Sequence, residues 1–262
     1  MNLSNNTILI TGGANGIGLA LAKAFAEHDN TVLITGRDAG SLAAAKRQIP
    51  ALVTFQSDVS RPGDIAELHR RVTAEFPKLN ILINNAGIMR RINLHTFGDD
   101  LEDITHEIDT NLSGSIRMVM QFLPQLKTQP RAAIVNVSSG LAFIPFPIAP
   151  IYGATKAALH SFTQALRVQL KGSSITVFEL APPATKTALN DVFAQDTGSM
   201  PLMELDVLVA ATLAGLHKDR LEIRPGLANV LKLMSRLAPS FMLKQLSKSV
   251  DRLLAEPKQL VA

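Results

Sequence analysis

TILITGGANGIGLALAKAF, residues 7–25, joins a run of β-forming residues to a helical pattern through glycines at 12, 13, 16 and 18. A helix that starts directly after a buried strand offers unpaired N–H groups and the positive end of its dipole. Glycines at the junction remove the side chains that would keep a diphosphate from the backbone. A glycine-rich turn also lets a strand and a helix pack closely with no ligand at all. What surrounds the turn decides between the two readings.

Six further strand-like runs follow: TVLIT (31–35), LVTFQSD (52–58), NILINN (80–85), AAIVNVS (132–138), ITVFEL (175–180) and RLEIR (220–224). They are apolar nearly throughout, the pattern of parallel strands covered on both faces. Helical patterns separate them: 16–28, 39–48, 62–76, one long region over 100–127, 152–170 and 205–216. Pro62 suits a helix start, where its missing N–H costs little. Alternating βα units predict a doubly wound, mainly parallel seven-stranded sheet with helices on both faces, the Rossmann arrangement. The whole chain, 1–262, reads as one dinucleotide-binding and catalytic domain.

Two stretches break the alternation. Residues 184–203 have little pattern and contain Gly198 and Pro201, which suggests a long loop over a ligand site. Residues 227–262 form a helical extension divided by Pro239, with Val230, Leu231, Met234, Leu237, Met242, Leu243, Leu246, Val250 and Leu253 at helical spacing. Packing on the domain or on a sister subunit is the preferred reading. A membrane-surface helix is the alternative, given Lys232, Arg236, Lys244, Lys248 and Arg252.

Charge agrees with that division. The chain carries +4 overall. From Lys218 onward nine Lys/Arg face four Asp/Glu, leaving 17 basic against 18 acidic residues before it. The basic character belongs to the tail, which an anionic membrane or nucleic acid could exploit; a solvated helix face is the preferred reading, and no nucleic-acid partner is expected. There is no cysteine, which excludes disulfides, thiolate catalysis and zinc–sulfur sites. The six histidines show no ligand pairing at short helical spacing, so no metal is expected. No signal peptide or membrane span is read, and a cytoplasmic protein is the expectation.

At the end of the second strand Gly36 leaves space and Arg37 brings a planar guanidinium suited to a phosphate. NADP(H) is therefore favoured over NAD(H), although Asp38 could pair with Arg37 or cap the next helix. Tyr152 is the only tyrosine, and Lys156 follows it by one helical turn. A nearby ammonium favours phenolate and draws the pKa down from ~10, as acid/base work requires. Taken alone, the pair is equally an ordinary helix-surface pair.

Together these motifs resemble the short-chain dehydrogenases/reductases. TGGANGIG (11–18) is similar to the family's TGxxxGxG and NNAG (84–87) to its fourth-strand motif. Asn111, Ser139, Tyr152 and Lys156 match its catalytic set in order and spacing, and the likeness covers about residues 5–225. NNTILITGG, IVNVSSGLAFIPFPIAPIYGATKAALHSF and PPATKT look like the bacterial DltE-like oxidoreductases within it. The resemblance implies a carbonyl/alcohol oxidoreductase. Gly12, Asn15, Gly16, Ile17 and Gly18 would border the diphosphate, and Asp58 and Val59 the adenine. Asn85, Ala86 and Gly87 would flank the adenine ribose. Pro182, Thr185 and Thr187 would hold the nicotinamide carboxamide.

The family's usual PGxxxT has Pro183 in place of glycine here, which removes an N–H. Asn15 stands where NADP-preferring members often carry a basic residue, so the cofactor reading rests mainly on Arg37. Tyr152 would exchange a proton with the substrate oxygen and Ser139 would donate a hydrogen bond to it. Lys156 would also hold the nicotinamide ribose, and Asn111 would anchor a water in a proton relay. Ser138 is read as bonding locally. Phe143, Ile144, Phe146, Ile148 and Ile151 suggest apolar pocket walls or core contacts. The family also implies a homo-oligomer, a dimer or tetramer, and a small-molecule partner. A non-catalytic nucleotide-binding module on the same fold stays open as the second reading.

Overall fold

The computed structural model describes residues 1–96, 98, 100–191, 193 and 201–255. Seven strands form one parallel sheet: β1 (Thr7–Thr11), β2 (Thr31–Gly36), β3 (Val53–Gln56), β4 (Leu79–Asn84), β5 (Ala132–Val137), β6 (Ile175–Leu180) and β7 (Glu222–Ile223). Their spatial order is β3-β2-β1-β4-β5-β6-β7. The central strand β1 pairs Leu9 with Leu33 on one side and with Leu82 on the other.

Both faces of the sheet are covered, which is why the strands read as unbroken apolar runs. All six residues of β5 are buried. Successive side chains point to opposite faces. Ile8, Ile10, Ile34, Val135 and Phe178 pack with Phe25 of α1 (Gly16–Ala26), Leu42 of α2 (Ala39–Gln48) and Leu208 of α8 (Leu205–His217). Leu9, Leu33, Leu82 and Ile134 pack with Leu68 of α3 (Pro62–Glu75), Phe122 of α5 (Gly114–Lys127) and Leu166 of α6 (Pro150–Gln169). Each fully buried Phe contributes roughly 1.5–3 kcal/mol.

The long helical region predicted over 100–127 is three segments. α4 (Leu101–Ile108) runs into a π-helical stretch, Asp109–Ser113, and then into α5. Asp100 caps α4 by accepting from Glu102 and Asp103 N–H. The extra residue of a π turn shifts the helix register while the apolar spacing continues, so the sequence pattern does not reveal it. The last predicted strand shrinks to Glu222–Ile223, at the sheet edge.

In the predicted loop 184–203, α7 (Ala188–Asp191) forms, Thr185 bridges Met203, and Phe193 is buried. The parts at 192 and 194–200 lie outside the described residues. The C-terminal extension forms α9 (Leu227–Leu237) and α10 (Pro239–Ala255); 256–262 lie outside the described residues. α9 packs on the short 3₁₀ turn Gly140–Ala142 that follows β5. One face of this extension thus packs on the domain, while Val230, Leu233, Leu237 and Phe241 stay exposed. Among the described residues no helix is long and apolar enough to cross a membrane.

Candidate active site

The strand order reverses between β1 and β4, and at that point the two crossovers diverge and leave a crevice at the strand C-termini. A cavity of about 580 Å³ occupies it. Its floor begins with the glycine turn. Gly12 has φ +62°, and a Cβ there would lie 2.8 Å from Ala86 Cα. Gly18 sits beneath the turn, where a Cβ would come within 2.3 Å of the Gly12 carbonyl oxygen. Gly12, Asn15, Gly16 and Ile17 line the cavity; Gly18 is not on its wall.

The turn is tied to the end of β4. Thr11 Oγ1 accepts from Asn85 N and Ala86 N, both at 3.0 Å. Asn85 Nδ2 donates to the carbonyls of Thr11 and Gly12, also at 3.0 Å. Asn85, Ala86 and Gly87 then form one wall. Thr11 was not singled out from the sequence, because a threonine in a β-rich run reads simply as strand.

Gly36, Arg37, Asp58 and Val59 line the β2–β3 side. The alternatives for Asp38 are resolved by its contacts. Its carboxylate accepts from Ser41 N and Oγ at 2.6 Å and caps α2. Those bonds hold its pKa below the usual range. Arg37 is exposed beside it. Asp58 accepts from Ser60 N at 2.9 Å and Oγ at 2.7 Å. Burial works to raise its pKa, but these bonds and the nearby Arg37 and Arg61 leave it lowered.

On the β5–β6 side Ser139, Tyr152 and Lys156 stand together on the cavity. All three are buried. Ser139 lies close enough to the Tyr152 hydroxyl to favour its ionised form. Ser139 Oγ also accepts from Leu141 N at 3.1 Å. Lys156 Nζ donates to the Val137 carbonyl at 2.9 Å and lies 5.6 Å from the Tyr152 ring centroid.

The expectation that Lys156 draws the Tyr152 pKa down is not met. Burial pushes Tyr152 up to about 12, against the lowering effect of Ser139. Burial also pushes Lys156 down to about 8. The ammonium donates to the Val137 carbonyl and lies over the ring, and desolvation of the tyrosine is the largest effect. Glu107 adds to the effect. It is fully buried, and its charge raises the Tyr152 pKa further.

Asn111 lies in the π stretch, off the cavity wall. Its Oδ1 accepts from Ile88 N at 2.8 Å, and its Nδ2 donates to Ile88 O at 2.8 Å and Thr155 Oγ1 at 3.2 Å. It therefore clasps the chain after Gly87. Pro182 and Thr187 line the cavity, whereas Thr185 is fully buried and donates to Pro183 O at 2.9 Å. Of the five apolar residues read as walls, only Phe146 is on the cavity. Ile144 and Ile148 are core, Ile151 is half-buried, and Phe143 meets the His160 ring edge-on at 5.0 Å.

The local bond expected of Ser138 is instead long-range. Its Oγ donates to Glu179 Oε1 at 2.5 Å, and Glu179 Oε2 meets His160 Nδ1 at 2.7 Å. Glu179 is 2% exposed. A carboxylate inside the apolar strand ITVFEL was the available signal, since a buried charge needs partners.

The residues present fit a dinucleotide. Asn15 makes no side-chain cap, which leaves the first-turn N–H groups of α1 for another acceptor. A side chain on Gly16 would meet only Thr187, at 3.5 Å, so there is room above the helix end. A glycine-floored crevice, a helix N-terminus and a buried Ser–Tyr–Lys cluster define a nucleotide-dependent oxidoreductase.

Residues 6–198 match the family model described as short chain dehydrogenase, and the chain belongs to that family, which acts on hydroxyl and carbonyl groups with NAD(P). Over 190 residues, 72% of this chain and 75% of that protein, it is 46% identical to the uncharacterised oxidoreductase DltE of Bacillus subtilis. It is 32% identical over 176 residues to the NADP-dependent 3-hydroxy acid dehydrogenase YdfG of Salmonella typhimurium, 67% of this chain and 71% of that protein. A short-chain dehydrogenase from Sphingobium yanoikuyae in complex with NADPH is 29% identical, with a TM-score of 0.77 over 98% of both chains.

Proposed function

We propose that this chain is an NADP(H)-dependent oxidoreductase that interconverts a carbonyl and an alcohol, with Tyr152 as general acid/base. The observation that carries the proposal is the Ser139–Tyr152–Lys156 cluster, buried at one side of a cavity whose other side presents Arg37. A bound nicotinamide nucleotide supplies or accepts the hydride. Tyr152 holds its proton in the free chain and delivers it to the substrate oxygen in reduction. Ser139 stands beside the tyrosine hydroxyl and stabilises the same oxygen. Lys156, with a pKa near 8, exchanges protons readily at working pH and holds the nicotinamide ribose. Asn111 keeps the Gly87–Ile88 wall in place and supports the proton path.

Arg37 favours the 2′-phosphate. Asp38 is occupied with its helix cap, which leaves the guanidinium of Arg37 to meet a ligand anion. YdfG is NADP-dependent and the Sphingobium enzyme is in complex with NADPH, which supports the same reading. Exposed Met120 and Val168 on α5 and α6 suit a homo-oligomer contact.

The test pairs two variants with a carbonyl panel followed by NADPH absorbance. Tyr152→Phe is expected to lose turnover and keep nucleotide affinity. Arg37→Ala is expected to lose about tenfold or more in NADPH affinity with NADH affinity unchanged. Residual Tyr152→Phe turnover near wild type rejects the acid/base assignment, and unchanged NADPH affinity in Arg37→Ala rejects the cofactor preference.

A further inference from the structure

Around Tyr152 the buried side chains are Met89, Phe146, Ile148, Ala149 and Phe193, with Leu141 and Leu246 packed against them. Phe146 and Phe193 meet at 6.1 Å between centroids, with their rings tilted by 50°. Leu231 and Leu246 of the C-terminal helices lie on the same cavity. These two leucines fall outside residues 6–198, the stretch that matches the family model.

The C-terminal helices are fixed against the site. A Cβ on Gly140, the residue after Ser139, would lie 3.0 Å from Leu231 Cδ1 and 3.6 Å from Ala228 Cα. Lys232 binds Glu222 Oε2 at 2.5 Å and covers the Phe143 ring at 5.2 Å. α9 is thus pinned both to the sheet edge and to the segment carrying Ser139.

Charge is distributed unevenly on the cavity. Among the described lining residues the charged side chains are Arg37, Asp38, Asp58 and Lys156. The first three belong to the β2–β3 side. Lys156 is engaged with the Val137 carbonyl and the Tyr152 ring, and in the reading above it also holds the nicotinamide ribose, so it is not left for a substrate carboxylate. An acid group placed against Met89, Phe146, Phe193, Leu231 and Leu246 would lose its water without gaining a partner.

We propose that α9 and α10 complete the substrate pocket, and that the pocket takes an uncharged, apolar ketone or aldehyde, or the matching alcohol, rather than an oxo or hydroxy acid. The proposal rests on the oxidoreductase reading above, because Tyr152 marks where the carbonyl lies.

The experiment measures binding apart from chemistry. The full-length Tyr152→Phe variant, saturated with NADP⁺, is titrated calorimetrically with 2-nonanone and with 3-oxononanoate. The ketone is expected to bind at least ~30-fold more tightly, as an unpartnered buried carboxylate dictates. In the same background Leu231→Lys and the milder Leu246→Ala are each expected to weaken ketone binding ~10-fold or more and to leave NADP⁺ affinity unchanged. Melting curves identify a misfolded variant, and Leu246→Ala serves where Leu231→Lys fails to fold. Equal or tighter binding of the oxo acid overturns the substrate class, and so does binding of neither compound. Unchanged ketone affinity in both folded variants overturns the role of the C-terminal helices. Ketone binding as expected with no NADPH oxidation in the wild-type enzyme defeats the catalytic reading instead and leaves the pocket assignment standing.

Discussion

Glu179→Ala removes the acceptor that joins two strands behind the catalytic serine. In the intact chain Glu179 accepts a hydrogen bond from Ser138 Oγ at 2.5 Å and faces His160 Nδ1 at 2.7 Å. Gln164 Nε2 lies 3.1 Å from His160 Nε2 and fits as donor, so the histidine presents its Nδ1 hydrogen to Glu179. Without the carboxylate, Ser138 retains only the distant Leu180 carbonyl, at 3.4 Å. Ser138 is 2% exposed, so water does not readily replace the acceptor. Each orphaned buried group costs about 1–3 kcal/mol. The His160 side chain is 18% exposed and recovers part of its share through solvent. The lost methylene adds about 1 kcal/mol. A total near 3 kcal/mol follows, or about 6–12 °C in Tm for a chain of this length. Glu179→Gln keeps the volume and one acceptor, and its loss is expected to stay near 1 kcal/mol. Thermal melts of the three proteins measure this. NADPH titration is expected to show unchanged nucleotide affinity, with the damage appearing in kcat through displacement of Ser139. A Glu179→Ala protein that melts within 2 °C of wild type would refute the energetic role given to this network.

The pH dependence of stability in the nucleotide-free chain carries a sign. Lys156 sits at about 8 folded against 10.5 unfolded. Between those values the unfolded chain binds more protons, so this group adds stability as pH rises, about 3 kcal/mol in all. Tyr152 sits at about 12 against 10.0, so it removes stability between those values as the unfolded chain releases its proton first. Urea midpoints at pH 7.5 and 9.5 are expected to differ less in Lys156→Met than in wild type; equal differences contradict the assignment. Gly18→Ala places a methyl 2.3 Å from the Gly12 oxygen. It is expected to cost about 3 kcal/mol and to weaken nucleotide binding through displacement of the turn, and a variant with wild-type melting and affinity counts against that packing role.

The sheet was legible because strands covered on both faces leave uninterrupted apolar runs, and the seven runs appear in the structure with ends moved by a few residues. The site was legible where its residues lie close in sequence, as in the glycine turn or Tyr152 with Lys156. Contacts between neighbouring strands were not. Ser138 and Glu179 are 41 positions apart and meet only because β5 and β6 pair Asn136 with Glu179 and Val137 with Leu180. Phe193, Leu231 and Leu246 come from three separate segments to the cavity that Tyr152 lines, and no local spacing announces that meeting. The direction of the Tyr152 shift needed a balance between burial and charge, and spacing gives only the charge.

The bonds of Thr11 and Asn85 bear on how the crevice opens. Four hydrogen bonds of 3.0 Å join the glycine turn to the end of β4. Those two edges belong to the centre of the sheet, and the bonds hold them as one unit. Displacing the turn to admit a nucleotide would break all four bonds, so the glycine turn is expected to stay in place when the crevice fills. Slow amide exchange at Asn85 and Ala86, the same with and without nucleotide, would mark that fixed floor.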